Sequence, residues 1–228
     1  MENQPILNSD LEPLIFEDWG LIDYELAVQK QLQYVEKVAT ENSRGYLVFC
    51  THPPIVTKGR STQPDDIYSW SGPVHESSRG GRATYHGPSQ IVVYPIVNLK
   101  FQTQIRKSRD VVAHLRTLEE CLVKTLRSYS IEAVGRSRQV NPNSETEGDE
   151  TGVWVGSHKI ASLGIAARKW VTYHGAAINF ENDAEAFQGI KPCGFQPQTM
   201  ISVEQILNQK ISRSEFSQAL ASEMLKLL

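Results

Sequence analysis

Residues 79–90 run Arg79-Gly80-Gly81-Arg82-Ala83-Thr84-Tyr85-His86-Gly87-Pro88-Ser89-Gln90, and a second Thr-Tyr-His-Gly stands at 172–175. Adjacent glycines let a backbone approach a ligand closely. Arginine suits carboxylate or phosphate, and histidine bonds or titrates near neutrality. That is more chemistry than a turn requires. The motif leads straight into Ile91–Val97, an apolar run of strand length, so it sits at the mouth of a buried strand.

Upstream, Leu21, Tyr24, Val28, Leu32, Val35 and Ala39 recur at helical spacing, with Asp23 near the start. Tyr46–Cys50 reads as a buried strand ended by His52-Pro53-Pro54, and Ile55–Thr57 as an edge strand. Residues 61–78 read as a loop. Downstream, Ser108 is positioned to cap a helix with Val111, Leu115, Leu118, Leu122 and Leu126 on its apolar face. Ile131–Val134 reads as a strand, and the polar residues 137–151 as a mobile loop. Val153–Val155 and Lys159–Ile165 flank Gly156-Ser157 as a hairpin, and Val171–Phe180 is a further strand. Ser202 with Gln205, and Ser212 with Glu215, mark two short helix starts. The second carries Phe216, Leu220 and Met224 on one face. Hairpins mixed with crossovers predict an α+β (mixed α/β) fold, one domain over residues 1–228 around a single sheet, with residues 1–14 as a flexible leader.

Bulk composition bounds the function. The chain has 228 residues, 40% hydrophobic and 21% charged, with a net charge of −3, so nothing global draws it to nucleic acid or an anionic membrane. Met1–Leu14 carries Glu2, Asp10 and Glu12 without lysine or arginine, unlike a signal or transit peptide. Three widely spaced cysteines, Cys50, Cys121 and Cys193, argue against a disulfide framework or zinc site and for a reducing cytoplasm. There is no phosphate loop, Gly-x-Gly-x-x-Gly or His-Glu-x-x-His, and Gly87-Pro88-Ser89-Gln90-Ile91 lacks the closing glycine of a hydrolase elbow. No metal or cofactor is expected.

Cys50 and Cys121 lie in apolar segments, as buried free cysteines usually do. Cys193 lies in Lys191-Pro192-Cys193-Gly194, outside any apolar run, and is the candidate nucleophile. A thiol needs help to ionise. His86 and His174 are possible partners, and so is Lys159, a charged residue in an otherwise apolar, small-residue strand. Free cysteine titrates near ~8.5 and free lysine near ~10.4, so a Cys193–Lys159 pair would rest as thiolate and ammonium. Against this stand the commoner readings: an edge lysine in solvent and structural histidines. Ser162-Leu163-Gly164 and Gly175-Ala176-Ala177 are segments for close strand packing or a tunnel wall. Lys100, Arg106, Lys107 and Arg109 form a solvated face or a dock for an acidic protein.

Taken together, Arg79–Gln90, Gly152–Val155, Lys159–Gly164, Val171–Asn179 and Pro192-Cys193-Gly194 resemble, in order and spacing, the octanoyltransferases of lipoate biosynthesis. The resemblance implies a fold related to biotin and lipoate protein ligases. It implies octanoyl transfer from acyl carrier protein to a lysine of a lipoyl domain, as in 2-oxoacid dehydrogenase complexes or the glycine cleavage H protein, without ATP. The cysteine thioester then falls on Cys193, and the lysine that lowers its pKa on Lys159. Substrate binding falls on Arg79, Gly80, Gly81, Arg82, Ala83, Thr84, Tyr85 and His86, on Ser162, Leu163 and Gly164, and on Gly175, Ala176 and Ala177. Ser89 departs from the family's usual glycine. Three alternatives stay open: an ATP-dependent ligase of the same fold, a silent carrier-protein binder, and a thioesterase-like hydrolase.

Overall fold

The computed structural model describes residues 12–103, 105–137 and 148–228. In chain order these form β1 (Ile15–Leu21), α1 (Tyr24–Glu41), β2 (Gly45–Thr51), β3 (Ile55–Lys58), β4 (Val74–Glu76), β5 (Thr84–His86), β6 (Gln90–Val97), α2 (Val111–Ser128), β7 (Ala133–Gly135), β8 (Gly152–Val155), β9 (His158–Arg168), β10 (Val171–Asn179), α3 (Val203–Leu207) and α4 (Arg213–Leu227). Seven strands make one sheet in the order β1-β2-β6-β10-β9-β8-β7. It is mixed: β1 runs parallel to β2, and every other neighbouring pair is antiparallel.

Alternation along the central strands assigns the two faces. Leu47, Phe49, Ile91, Val93, Ala176 and Ile178 pack with Leu118, Leu122 and Leu126 of α2 and Phe216, Leu220 and Met224 of α4. Tyr46, Val48, Val92, Tyr94, Ile96 and Ala177 face the opposite way, toward Ala27, Val35 and Val38 of α1. The expected mixed fold with flanking helices is therefore present. A second sheet, β4-β3-β5, was not expected. The segment read as an edge strand is its middle strand, and it packs Val56 with Tyr85, Phe187 and Ile190.

Local chemistry corrects several boundaries. Asp110, not Ser108, caps α2 by accepting from the Ala113 amide at 2.8 Å, while the Ser108 hydroxyl donates to the Lys100 carbonyl at 2.8 Å. The buried stripe of α1 is Tyr24, Ala27, Gln31, Val35 and Val38, and Leu21 belongs to β1. Gln31 is buried because it serves the sheet. His174 bends β10 at φ 59°, and the Gln31 side-chain oxygen accepts from its amide at 2.7 Å. Pro95 has no N–H to offer a neighbouring strand, and the Thr172 hydroxyl patches that stretch. It donates to the Pro95 carbonyl at 2.7 Å and accepts from the Val97 amide at 2.9 Å.

Most of the leader (1–11) and of the 137–151 loop (138–147) falls outside the described residues. The described ends of both are packed. Leu14 joins the core, and the Asp149 amide donates to the Cys193 carbonyl at 2.7 Å.

Candidate active site

The catalytic candidate lies on the α1 face, where the large sheet meets the small one. Pro192–Gly194 forms one 3-10 turn, and Cys193 adopts φ 55°, ψ 20° within it. This left-handed conformation is uncommon for a residue with a side chain. Two backbone bonds hold it: the Cys193 amide donates to the Ala83 carbonyl at 2.7 Å, and its own carbonyl accepts from Asp149. Gly194 follows at φ +84°, and a methyl there would strike the Arg82 guanidinium. Cys193 is 6% exposed, and its sulfur lies 3.6 Å from the Ser162 hydroxyl.

The thiol borders a narrow cleft with a cavity volume of about 30 Å3, well below the usual range for a small-ligand site. Strand register builds its floor. Ser162 pairs with Ala177, and Gly164 with Gly175, so two neighbouring strands present only small residues there. Val92 and Tyr94 of β6 continue the floor. The roof is the 79–86 segment, in which Arg79, Gly81, Arg82, Thr84 and His86 border the cleft. Leu163 and Ala176 also border it. Three residues of the expected binding set do not. Gly80 donates to the Ile165 carbonyl at 3.2 Å, and Ala83 accepts from Cys193. Tyr85 points the other way, into the small sheet's cluster, as alternation on a strand demands.

The arginines are committed elsewhere in the fold. Arg79 donates to the Thr57 carbonyl and hydroxyl at 2.8 and 2.7 Å, and to the carbonyls of Gly80 and Arg82 at 3.0 and 2.9 Å. It binds its own loop to β3. Arg82 grips the fully buried Asp66 through Nε at 3.1 Å and Nη2 at 2.5 Å. The Asp66 hydrogen bond raises the guanidinium pKa, burial opposes, and the negative form of Cys193 adds a smaller upward push. Arg82 is thus within electrostatic reach of the sulfur.

Lys159 is fully buried on β9. Its ammonium donates to the Asp149 carbonyl at 2.7 Å, and Trp154 and Phe195 flank it with ring centroids 5.7 and 5.8 Å away. One backbone residue therefore links the pair: Lys159 donates to Asp149, and Asp149 donates to Cys193. Among the described residues, no hydrogen bond joins Lys159 to Cys193 directly, and no carboxylate pairs with Lys159.

The histidines make a buried, neutral group rather than partners for the thiol. Ile22 offers His52 only a carbonyl, at 2.7 Å, so Nδ1 carries the proton and Nε2 accepts from the Tyr94 hydroxyl at 2.7 Å. Burial holds His52 and His86 below the ordinary histidine value, and nearby positive charge adds to this at His86. Burial, with Arg79, takes His174 down to about 3. Tyr24 stacks on His86 at 5.6 Å. Burial pushes the other two thiols up, Cys121 to about 12.

Arg106 is no docking residue. It is 4% exposed and spends its guanidinium on the carbonyls of Leu99, Lys107 and Phe101 at 3.2, 3.2 and 2.8 Å. Ser89 needs no glycine-like conformation, and its hydroxyl donates to Asp183 at 2.9 Å. A wider open groove beside residues 181–189 has no cysteine, lysine or histidine in its lining. Asp66, Asp149 and Tyr24 were not anticipated at the site. Only Asp23–Tyr24 at a helix start carried any sequence signal.

Comparison with known proteins then shows the family. The model of the lipoyl protein ligase A/B catalytic domain matches residues 22–225. An octanoyltransferase of Bdellovibrio bacteriovorus is 50% identical over 216 residues, covering 94% of this chain and 99% of that protein. The fold is similar to a lipoate-protein ligase A bound with ATP (TM-score 0.68, 18% identity, 95% of this chain and 85% of that one). It is also similar to a bipartite lipoate protein ligase studied with its E2 lipoyl domain from Thermoplasma acidophilum (TM-score 0.62, 18% identity, 95% and 84%). The chain belongs to the octanoyltransferase family of enzymes.

Proposed function

We propose that this enzyme moves octanoyl from the thioester of an acyl carrier protein to a lysine amine of a lipoyl domain through a thioester on Cys193. The observation that carries the reading is the placement of Cys193. It is the one cysteine not packed as an apolar group, it is pinned in a left-handed turn, and its sulfur opens on an enclosed cleft beside a serine hydroxyl. Lys159 supports it. Among the described residues no carboxylate pairs with its buried side chain, a setting that favours a neighbouring anion, and in this reading the Cys193 sulfur supplies it.

The steps balance as follows. The Cys193 thiolate attacks the carrier thioester carbonyl, forming a new C–S bond. The carrier sulfur leaves and takes a proton from Lys159, which becomes the free amine. The acceptor lysine's ammonium then gives a proton to Lys159, an amine of matching basicity. The neutral acceptor amine attacks the acyl-enzyme, the C–N bond forms, and the C–S bond breaks to return the Cys193 thiolate. The surplus amide proton goes to water. The Ser162 hydroxyl donates to the sulfur at both ends of this cycle. A lipoyl-domain acceptor is supported by the Thermoplasma acidophilum ligase of similar fold, which was studied with its lipoyl domain.

The test is transfer from octanoyl carrier protein to a purified lipoyl domain without nucleotide. Acylated lipoyl domain should accumulate. Transfer that starts only after ATP is added would point to a ligase, and release of free octanoate alone would point to a hydrolase.

A further inference from the structure

The loop between β3 and β4 carries a buried carboxylate that the cycle above does not use. Pro64–Asp66 forms one 3-10 turn, and Asp66 at its end is fully buried. A buried charge persists only where it is paired and hydrogen-bonded. Asp66 accepts from the Gln63 amide at 2.9 Å, and from Arg82 through Nε at 3.1 Å and Nη2 at 2.5 Å. Two parallel bonds of this kind fix the plane of a guanidinium as well as its position. The Asp66 backbone carbonyl accepts from the Lys191 amide at 2.7 Å, and Ile67 bridges to Ile190 beside it. One residue thus holds the roof of the cleft by its side chain and the nucleophile's loop by its backbone.

Both attachments converge on Cys193. Its amide donates to the carbonyl of Ala83, the residue after Arg82, at 2.7 Å. Gly194 lies so close to the Arg82 guanidinium that a methyl group there would strike it. Arg82 and Cys193 border the same cleft. The other charged groups facing the sulfur are few. Lys159 of β9 reaches it through the Asp149 carbonyl, and the Asp149 carboxylate accepts from the Thr151 amide at 3.0 Å. Lys191 turns outward to Asp65 at 2.5 Å. Tyr24, Tyr94, His86 and His174 also border the cleft, and burial keeps all four neutral. Arginine stays charged at every relevant pH, so its placement decides what the sulfur feels.

We propose that Asp66 is a positioning residue for the nucleophile: it holds the Arg82 guanidinium against the Cys193–Gly194 turn, where the positive charge favours the sulfur anion. The inference rests on the Cys193 thioester proposed above. The sign of the effect separates this role from a direct one. The negative charge of Asp66, acting on the sulfur by itself, would disfavour the thiolate. Acting through Arg82, it favours the thiolate. Loss of the Asp66 charge therefore moves thiol ionisation in opposite directions under the two roles.

The experiment follows alkylation of Cys193 in the full chain by iodoacetamide across pH, located by peptide mass, with a thermal melt for each variant. Asp66→Asn keeps the shape of the side chain and removes its charge. The pH at which the rate reaches half its plateau should rise by about one unit or more. Arg82→Gln should raise it likewise, and adding Asp66→Asn to Arg82→Gln should raise it no further. The double variant leaves no unpaired buried charge, so it decides if a single variant does not fold. A midpoint unmoved or lowered in folded Asp66→Asn, or in the double variant, overturns the positioning role alone, even if the melting temperature falls. A further rise on adding Asp66→Asn to Arg82→Gln overturns action through Arg82. Wild type given octanoyl carrier protein should carry octanoyl on Cys193. No such adduct overturns the thioester reading and, with it, the part of Asp66 in the reaction.

Discussion

Cys193 differs from Cys50 and Cys121 in what surrounds the sulfur. The latter two are held among apolar side chains, and burial pushes their thiols up. Cys193 has a serine hydroxyl beside it, a buried lysine one backbone residue away, and Arg82 within electrostatic reach. If the Ser162 hydroxyl bonds the thiolate, its loss should slow alkylation of Cys193 by iodoacetamide at pH 7 by about tenfold or more, as expected for a hydrogen bond to a charged group. Ser162→Thr, which keeps the hydroxyl, should restore most of the rate. Equal rates in wild type and Ser162→Ala would remove Ser162 from the chemistry. Lys159→Met keeps the length and removes the charge. It should cut transfer at least about 100-fold while leaving the protein folded by circular dichroism, and near-wild-type transfer would contradict the proton-carrier role. Cys193 and Lys159 stood out as candidates in the sequence because a Pro-Cys-Gly turn and a charged residue in an apolar strand each break a local pattern. Ser162 as the sulfur's neighbour, Asp149 as the link and Asp66 as the arginine's anchor were not. Those contacts join residues far apart in the chain, and only sheet register and loop closure decide them.

Among the elements, β10 does most to shape the site. The His174 bend, the Thr172 patch over Pro95 and the small residues at 175–177 all lie on it. Gly175 allows close approach to β6, because a methyl there would run into the Val93 carbonyl. Gly175→Ala should therefore lower stability by about 1–3 kcal/mol, read as a lower urea midpoint with an unchanged slope. An unchanged midpoint would show that the strands have slack. The helices and the β8–β9 hairpin were readable because each carries its own periodicity or turn chemistry. β1 was not, because it is a mostly exposed edge strand, Ile-Phe-Glu-Asp-Trp-Gly-Leu, without an apolar alternation. The small sheet was not readable either. Its strands are three or four residues long, too short for a period, and only their pairing defines them.

At the scale of the molecule, four buried histidines set the pH behaviour. His52, His86, His114 and His174 are all held below the ordinary histidine value, chiefly by burial. His114 and His174 fall to about 3. Their folded values lie below the unfolded one, so between about pH 3 and 6.5 the unfolded chain binds more protons. Stability is then full above about pH 6.5 and is lost as the pH falls through that window, by up to about 1.4 kcal/mol per pH unit for each such group. His114 lies in α2, away from the cleft, and neither ring nitrogen has a partner among the described residues. His114→Leu should leave transfer intact and flatten the fall in melting temperature between pH 7 and pH 5. An identical pH slope in wild type and variant would contradict a neutral buried His114.

The central claim is that the acyl group rests on Cys193 between donor and acceptor. Incubation with octanoyl carrier protein, without acceptor or nucleotide, followed by intact mass, tests it directly. The account predicts one octanoyl adduct on wild type, cleaved by hydroxylamine, and none on Cys193→Ala. No adduct on wild type, or an adduct that survives Cys193→Ala, would contradict it.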